Sequence, residues 1–129
     1  MSTQSALMFT LMALCGGVGA VCRFLVDSTV NKRNRLNFPL GTIVVNMSAC
    51  LLLGLLTGWV SSWNATDAQL IKFILGTGLL GGYSTFSTAS VEGYRLIQHQ
   101  HYLRALTHTG GMLVISLGAG ILGVWLGSL

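Results

Sequence analysis

Four apolar runs joined by short polar links dominate this chain and leave it few ways to fold. They cover about residues 6–28, 39–62, 67–97 and 103–128. The first, second and fourth each reach the roughly 20 residues that a membrane-spanning helix needs. Charge is too scarce for water to be the surrounding solvent. Charged residues make up 8% of the chain and hydrophobic ones 52%, whereas a soluble domain carries about 25% charge. The sequence therefore predicts an all-α membrane protein in which residues 1–129 form a single domain of four transmembrane helices. The net charge of +4 does not point to nucleic acid. The seven Lys and Arg are thinly spread and cap the apolar runs, as at the interfaces of a lipid bilayer. Met1 to Ser5 lack the basic residues of a signal peptide. Leu14 is too large to precede a lipoprotein cleavage cysteine at Cys15, so the first run is read as a retained helix.

The third run is the unusual one. As one helix, Asp67 to Gln98 would be roughly 48 Å long at 1.5 Å per residue, against a hydrocarbon core of about 30 Å. It must tilt, protrude or break. Gly81-Gly82 is the expected place, since glycine tolerates backbone angles that other residues resist, and the third helix is expected to be broken near its middle. Immediately after come Ser84, Thr85, Ser87, Thr88 and Ser90 around one ring, Phe86. Irregular backbone at membrane depth survives only where protein buries it or where it lines a cavity. The pattern points to an ion or substrate path. Elsewhere, Pro39 suits the first turn of the second helix, and Thr66-Asp67-Ala68-Gln69 reads as a capping box that opens the third.

Small residues recur at helix-packing intervals. Gly54 and Gly58, Gly78 and Gly82, and Gly123 and Gly127 each form a GxxxG pair. Packing within the chain would account for them, yet 17 glycines in so short a sequence favour an extensive interface that includes a dimer. Cys15, Cys22 and Cys50 lie in apolar runs and form no metal-binding pattern. They read as small packing residues.

Few polar side chains sit inside the spans. Arg23, in the last turns of the first helix, either snorkels to the interface or acts within the bundle, with Asp27 four residues on as its partner. Asn46 stands about 10 Å into the second helix. It serves either a bond between helices or an anion that needs N–H donors. Single membrane serines and threonines commonly bond back to their own helix, but the cluster around Phe86 is denser than that habit explains. The positive edge of the Phe86 ring can face an anion. Ser116 adds a hydroxyl from the fourth helix. Glu92 is either a vestibule group or a partner of Arg95, and His99, His101 and His108 read as interfacial. No nucleophile–base pair, metal set or phosphate loop speaks for an enzyme.

Three stretches carry a family resemblance: Gly19-Ala20-Val21-Cys22-Arg23, Gly41-Thr42-Ile43-Val44-Val45-Asn46, and Gly78-Leu79-Leu80-Gly81-Gly82-Tyr83-Ser84-Thr85-Phe86-Ser87-Thr88. In this order they resemble the Fluc (CrcB) family of microbial fluoride channels, over essentially the whole chain. The resemblance implies passive export of fluoride across the prokaryotic cytoplasmic (inner) membrane by an antiparallel, dual-topology dimer with two pores. It implies that Asn46, Phe86, Ser87, Thr88 and Ser116 line the fluoride path, and that Arg23 and Glu92 belong to vestibules or structural support. It also implies a structural sodium ion at the dimer centre, held by the backbone carbonyls of Gly81 and Ser84. Ser84 replaces the family's usual threonine, which matters little when the ligand is a carbonyl. Neutral donors suit fluoride, because they replace its water without the fixed positive charge that would trap it.

Two positions depart from that pattern. Ala89 stands where the family usually has a second pore phenylalanine, and Gly120 replaces a common hydroxyl residue. Charge is also lopsided. The links between the first and second and between the third and fourth spans, with their flanks, carry Lys32, Arg33, Arg35, Arg95 and Arg104, and the other side only Lys72. The positive-inside rule then favours one orientation. The dimer is accordingly either a homodimer or a heterodimer with an oppositely biased paralogue. A small proton-coupled exporter of the multidrug type is the alternative, but Leu14-Cys15-Gly16-Gly17 holds no acid where such exporters carry one. A non-transporting scaffold would explain the glycines and not the hydroxyl cluster.

Overall fold

A computed structural model describes residues 2–35 and 39–129. Among these the chain is helical throughout, with no strand. Helix α1 spans Thr3–Arg33, α2 Leu40–Trp59, α3 Ala65–Ile71, α4 Gly81–Tyr83, α5 Ser87–Gln98 and α6 Tyr102–Gly127. A 3₁₀ turn, Val60–Ser62, ends α2, and a π-helical stretch, Lys72–Leu80, joins α3 to α4. Three helical segments are long and apolar enough to cross a membrane: Thr3–Arg33, Leu40–Ser62 and Tyr102–Gly127.

The helix ends follow local chemistry. Ser2 caps α1 by accepting the Ser5 N–H at 3.1 Å. Lys32 and Arg33 close the same helix, where its negative dipole end favours cations. The first helix thus runs past the expected end of its apolar run near residue 28, up to Arg33, and residues 36–38 lie outside the described residues. Pro39 caps α2 instead of opening its first turn. The third run starts two residues before the expected box. Asn64 accepts the Asp67 N–H at 2.9 Å and donates to the Asp67 carboxylate at 2.7 Å. Asparagine is as good a cap as threonine, and here Asp67 answers it.

Glycine contacts fix the directions of the helices. A Cβ at Gly54 would collide with the Gly120 carbonyl, and one at Gly58 with the Val124 carbonyl. Conversely, Gly123 abuts Leu51 and Gly127 abuts Leu55. Rising numbers meet rising numbers, so α2 and α6 run parallel with their backbones touching. The same holds between α1 and the segment that starts with α3: Gly78 meets Met12, Gly82 meets Gly16 and Gly19 meets Tyr83. Gly41 at the start of α2 packs on Asp27 near the end of α1, so these two run antiparallel. All three GxxxG pairs are thus used within one chain, and they lend no support to a dimer.

The buried core joins α2 to the same ascending segment. Val45, Ala49, Leu80 and Tyr83 form one cluster, with Val26 packed against it. Leu56, Val60 and Ala68 form a second with Ile71 and Leu75. Large apolar side chains such as Phe9, Leu14 and Phe24 on α1 and Val114, Leu117 and Ile121 on α6 face outward. Outward apolar faces on such long helices mark an integral membrane protein.

Candidate functional site

The helical ladder stops at Ser84–Phe86, between α4 and α5. The glycine pair does not break it. Gly81 has ordinary right-handed helical angles, φ −62° and ψ −40°, and no described glycine has positive φ. Gly82 is needed for another reason: its Cα lies against the backbone of Gly16, where a Cβ has no room. The break comes three residues later, where side chains from other helices replace the missing backbone partners.

Asn46 is the chief replacement. Its Oδ1 accepts the Thr85 N–H at 2.9 Å, and its Nδ2 donates to the Thr85 carbonyl at 2.7 Å. This reciprocal pair copies what a neighbouring strand would offer, and both backbone groups are satisfied away from water. The Thr85 hydroxyl then accepts the Thr88 N–H at 3.1 Å and restarts the helix as α5. Arg23, half-buried on α1, donates to the Ser84 carbonyl at 3.2 Å. It does not serve Asp27, whose carboxylate instead accepts from Asn31 at 3.2 Å. Ser48 already donates to the Val45 carbonyl, so Tyr83 is the donor in the 2.7 Å bond between their hydroxyls. Removing that hydroxyl with Tyr83→Phe is expected to cost about 1 kcal/mol of stability, read by thermal unfolding in detergent.

Two carbonyls come free at the break. In a continued helix Gly81 would accept from Thr85 and Ser84 from Thr88. Both N–H groups are engaged elsewhere, by Asn46 and by the Thr85 hydroxyl. The Gly81 carbonyl therefore lacks its helical partner, and among the described residues the Ser84 carbonyl accepts from the Arg23 side chain, which leaves a lone pair. Unwound backbone carbonyls of this kind suit a sodium ion.

The break opens onto a cleft of about 920 Å³ between α2, α5 and α6. Asn46, Thr85, Phe86, Ala89, Met112 and Ser116 are among its lining residues, and no charged side chain is. Phe86 is 86% exposed within the single chain. The Ser116 hydroxyl is buried and makes no hydrogen bond. The second N–H of Asn46 is directed at the Met112 sulfur, 3.4 Å away.

The expected path residues thus divide. Asn46, Phe86 and Ser116 share this cleft, whereas Thr88 lines a smaller cavity of about 160 Å³ with Arg23, Asp27, Thr42 and Thr85. Ser87 borders neither, and its hydroxyl lies 3.4 Å from that of Thr85. Glu92 Oε2 lies 3.7 Å from His108 Nε2, and among the described residues it forms no salt bridge with Arg95. His108 is completely buried, against the interfacial position expected for it, because it lies on the inward face of α6 one turn beyond buried Ala105. His99 and His101 are exposed at the turn before α6. Sequence reasoning gave Thr85, Tyr83 and Ser48 no role of their own. Only the motif around Phe86 hinted at Thr85, and nothing singled out Met112.

A compact helical membrane protein whose irregular segment presents uncharged donors to a cleft is built like a membrane transport protein. Comparison with known sequences gives the narrower answer. The family described as "CrcB-like protein, Camphor Resistance (CrcB)" matches residues 10–128, and the chain belongs to it. Among its relatives is the fluoride-specific ion channel FluC 1 of Leifsonia xyli subsp. xyli, 43% identical over 98% of this chain and 90% of the relative. The fluoride-specific ion channel FluC 2 of Cutibacterium acnes is 44% identical over 91% of this chain and 94% of its own length. The fluoride-specific ion channel FluC of Flavobacterium psychrophilum is 40% identical over 90% of each.

Proposed function

We propose that this protein is a fluoride-selective ion channel that lets fluoride leave the cell passively through the prokaryotic cytoplasmic membrane. It is a channel and not an enzyme. The observation that carries the reading is the composition of the cleft: Asn46, Ser116 and Phe86 line it, the Ser116 hydroxyl is buried beside it without a hydrogen bond, and no lining residue is charged. Amide, hydroxyl and ring-edge donors can stand in for the water around a small halide without holding it fast. Ser87 and Thr88 extend the donor set from the start of α5. Arg23 and Glu92 act as support, the first by holding the break and the second through His108. The relatives' names leave the proton-coupled exporter without support.

The parallel course of α2 and α6 supports a fourth crossing. The connection between them has to return along the bundle, so residues 67–97 form a third transmembrane helix broken near its middle. Phe86, largely uncovered in one chain, supports a second copy against this face, and the family resemblance implies that the copy has the opposite orientation. The resulting antiparallel dimer is a homodimer or pairs this chain with an oppositely biased paralogue. Gly81 and Ser84 of each chain would hold the central sodium ion. Bound there, the ion supplies a fixed positive field and joins the two chains.

Fluoride efflux from liposomes containing only this chain, followed with a fluoride electrode and compared with chloride, tests the reading. Fluoride is expected to leave and chloride to stay. Absence of fluoride release from well-formed dimers points to a required partner chain, and absence with every paralogue added sinks the channel. Phe86→Ile is expected to cut efflux by about tenfold or more, a loss of roughly 1.4 kcal/mol at the permeation barrier, while leaving the dimer intact on size-exclusion chromatography.

A further inference from the structure

We infer that Met112 is a positioning residue that sets how firmly the channel holds its anion, by occupying one Asn46 N–H with a weak acceptor that fluoride displaces. The inference rests on the channel reading above. Asn46 has two amide donors. One is committed to the Thr85 carbonyl at 2.7 Å, and the Thr85 N–H bonded to Oδ1 at 2.9 Å fixes the plane of the amide. Exchanging the amide oxygen and nitrogen would oppose both bonds, so the second N–H has a determined direction. It meets Met112 Sδ at 3.4 Å.

The choice of acceptor matters. An oxygen at this point would compete with an arriving anion. A hydrocarbon side chain would leave a buried N–H unpaired, at a cost. A thioether sulfur is a weak acceptor, so it satisfies the donor and yields it to a stronger one. Methionine is unbranched with three rotatable bonds, so the sulfur can withdraw without any movement of α6. Met112 lies one helical turn before Ser116, and both line the cleft. When the sulfur withdraws, the Asn46 N–H is left free at the cleft that Ser116 also lines.

The test is fluoride efflux from proteoliposomes across a range of fluoride concentrations, for wild type, Met112→Leu and Met112→Gln. Leucine has no acceptor, so the half-saturating fluoride concentration is expected to fall roughly three- to fivefold, by a larger factor than maximal flux changes. Glutamine places an amide oxygen at the same reach, and the half-saturating concentration is expected to rise by about tenfold. A packing role alone would alter stability or maximal flux and leave half-saturation unmoved in both variants, which would overturn the inference. A second measurement uses the wild-type chain with ¹³C-methyl methionine. Its Met112 signal, recognised by its loss in Met112→Leu, is expected to shift with fluoride and not with chloride. A signal that fluoride leaves unmoved overturns the inference even if the variants misfold. Wild-type liposomes that release no fluoride even with every paralogue added overturn the channel reading itself, whereas normal release with unchanged half-saturation removes only the role of Met112.

Discussion

Asn46→Leu is expected to stop fluoride efflux and to loosen the fold at the same time. Leucine matches asparagine in size but offers no polar atom. The Thr85 N–H and carbonyl would then face the interior of a membrane protein with no partner. Each unpaired buried group costs about 1–3 kcal/mol, so the pair costs roughly 2–6 kcal/mol. The same change removes the donor from the cleft. A barrier raised by about 2.8 kcal/mol already slows permeation about a hundredfold, and efflux should fall at least that far. Asn46→Asp separates the two effects. A carboxylate still accepts the Thr85 N–H, so the stability loss should be about half as large. It brings a negative charge to an anion path, however, and efflux should be lost as completely. A fluoride electrode on proteoliposomes reads the flux, and tryptophan fluorescence during heating reads the fold. An Asn46→Leu protein that conducts like wild type would remove Asn46 from the path.

The second large effect is on assembly of the chain itself. Gly123→Val is expected to destabilise the protein by about 3 kcal/mol or more. Overpacking a core usually costs about 1–3 kcal/mol because side chains can move aside. Here the new Cβ would strike the Leu51 carbonyl and the Leu55 nitrogen, and backbone cannot rotate away. The helices α2 and α6 would have to separate. Gly17→Val is the matched control, since a Cβ at Gly17 meets nothing within 4 Å. It should change stability by less than about 0.5 kcal/mol. Equal melting of the two variants would mean that the α2–α6 contact is not tight.

Much of this architecture was legible in the apolar runs. Hydrophobic length is set by bilayer thickness, so Thr3–Arg33, Leu40–Ser62 and Tyr102–Gly127 announce themselves. The irregularity of the third run was also legible, because 32 residues between Asp67 and Gln98 are too many for one upright crossing. Its location was not. Glycine permits a break without requiring one, and the deciding partner, Asn46, lies on another helix far away in sequence. The glycine pairs left their partners open for a related reason. Their spacing specifies a close approach but not which chain supplies the neighbour, and here α2 and α6 supply each other. His108 was misassigned from its closeness to the polar turn, whereas the phase of α6 turns it fully inward. The π-helical stretch at Lys72–Leu80 has no evident sequence signal, since hydrophobic periodicity does not report which carbonyl an N–H selects.

The pairing of α2 with α6 has a consequence for biogenesis. The furrow on α2 that receives α6 is formed early in synthesis and stays unfilled until the last helix emerges. Ribosomes add about 5–20 residues per second, so Gly54 waits roughly 3–14 s for Gly123. During that interval its bare backbone is open to any passing helix with small side chains. A chain cut short before α6 would keep that adhesive stripe permanently, which makes the final helix the element that distinguishes a finished subunit from a fragment due for proteolysis.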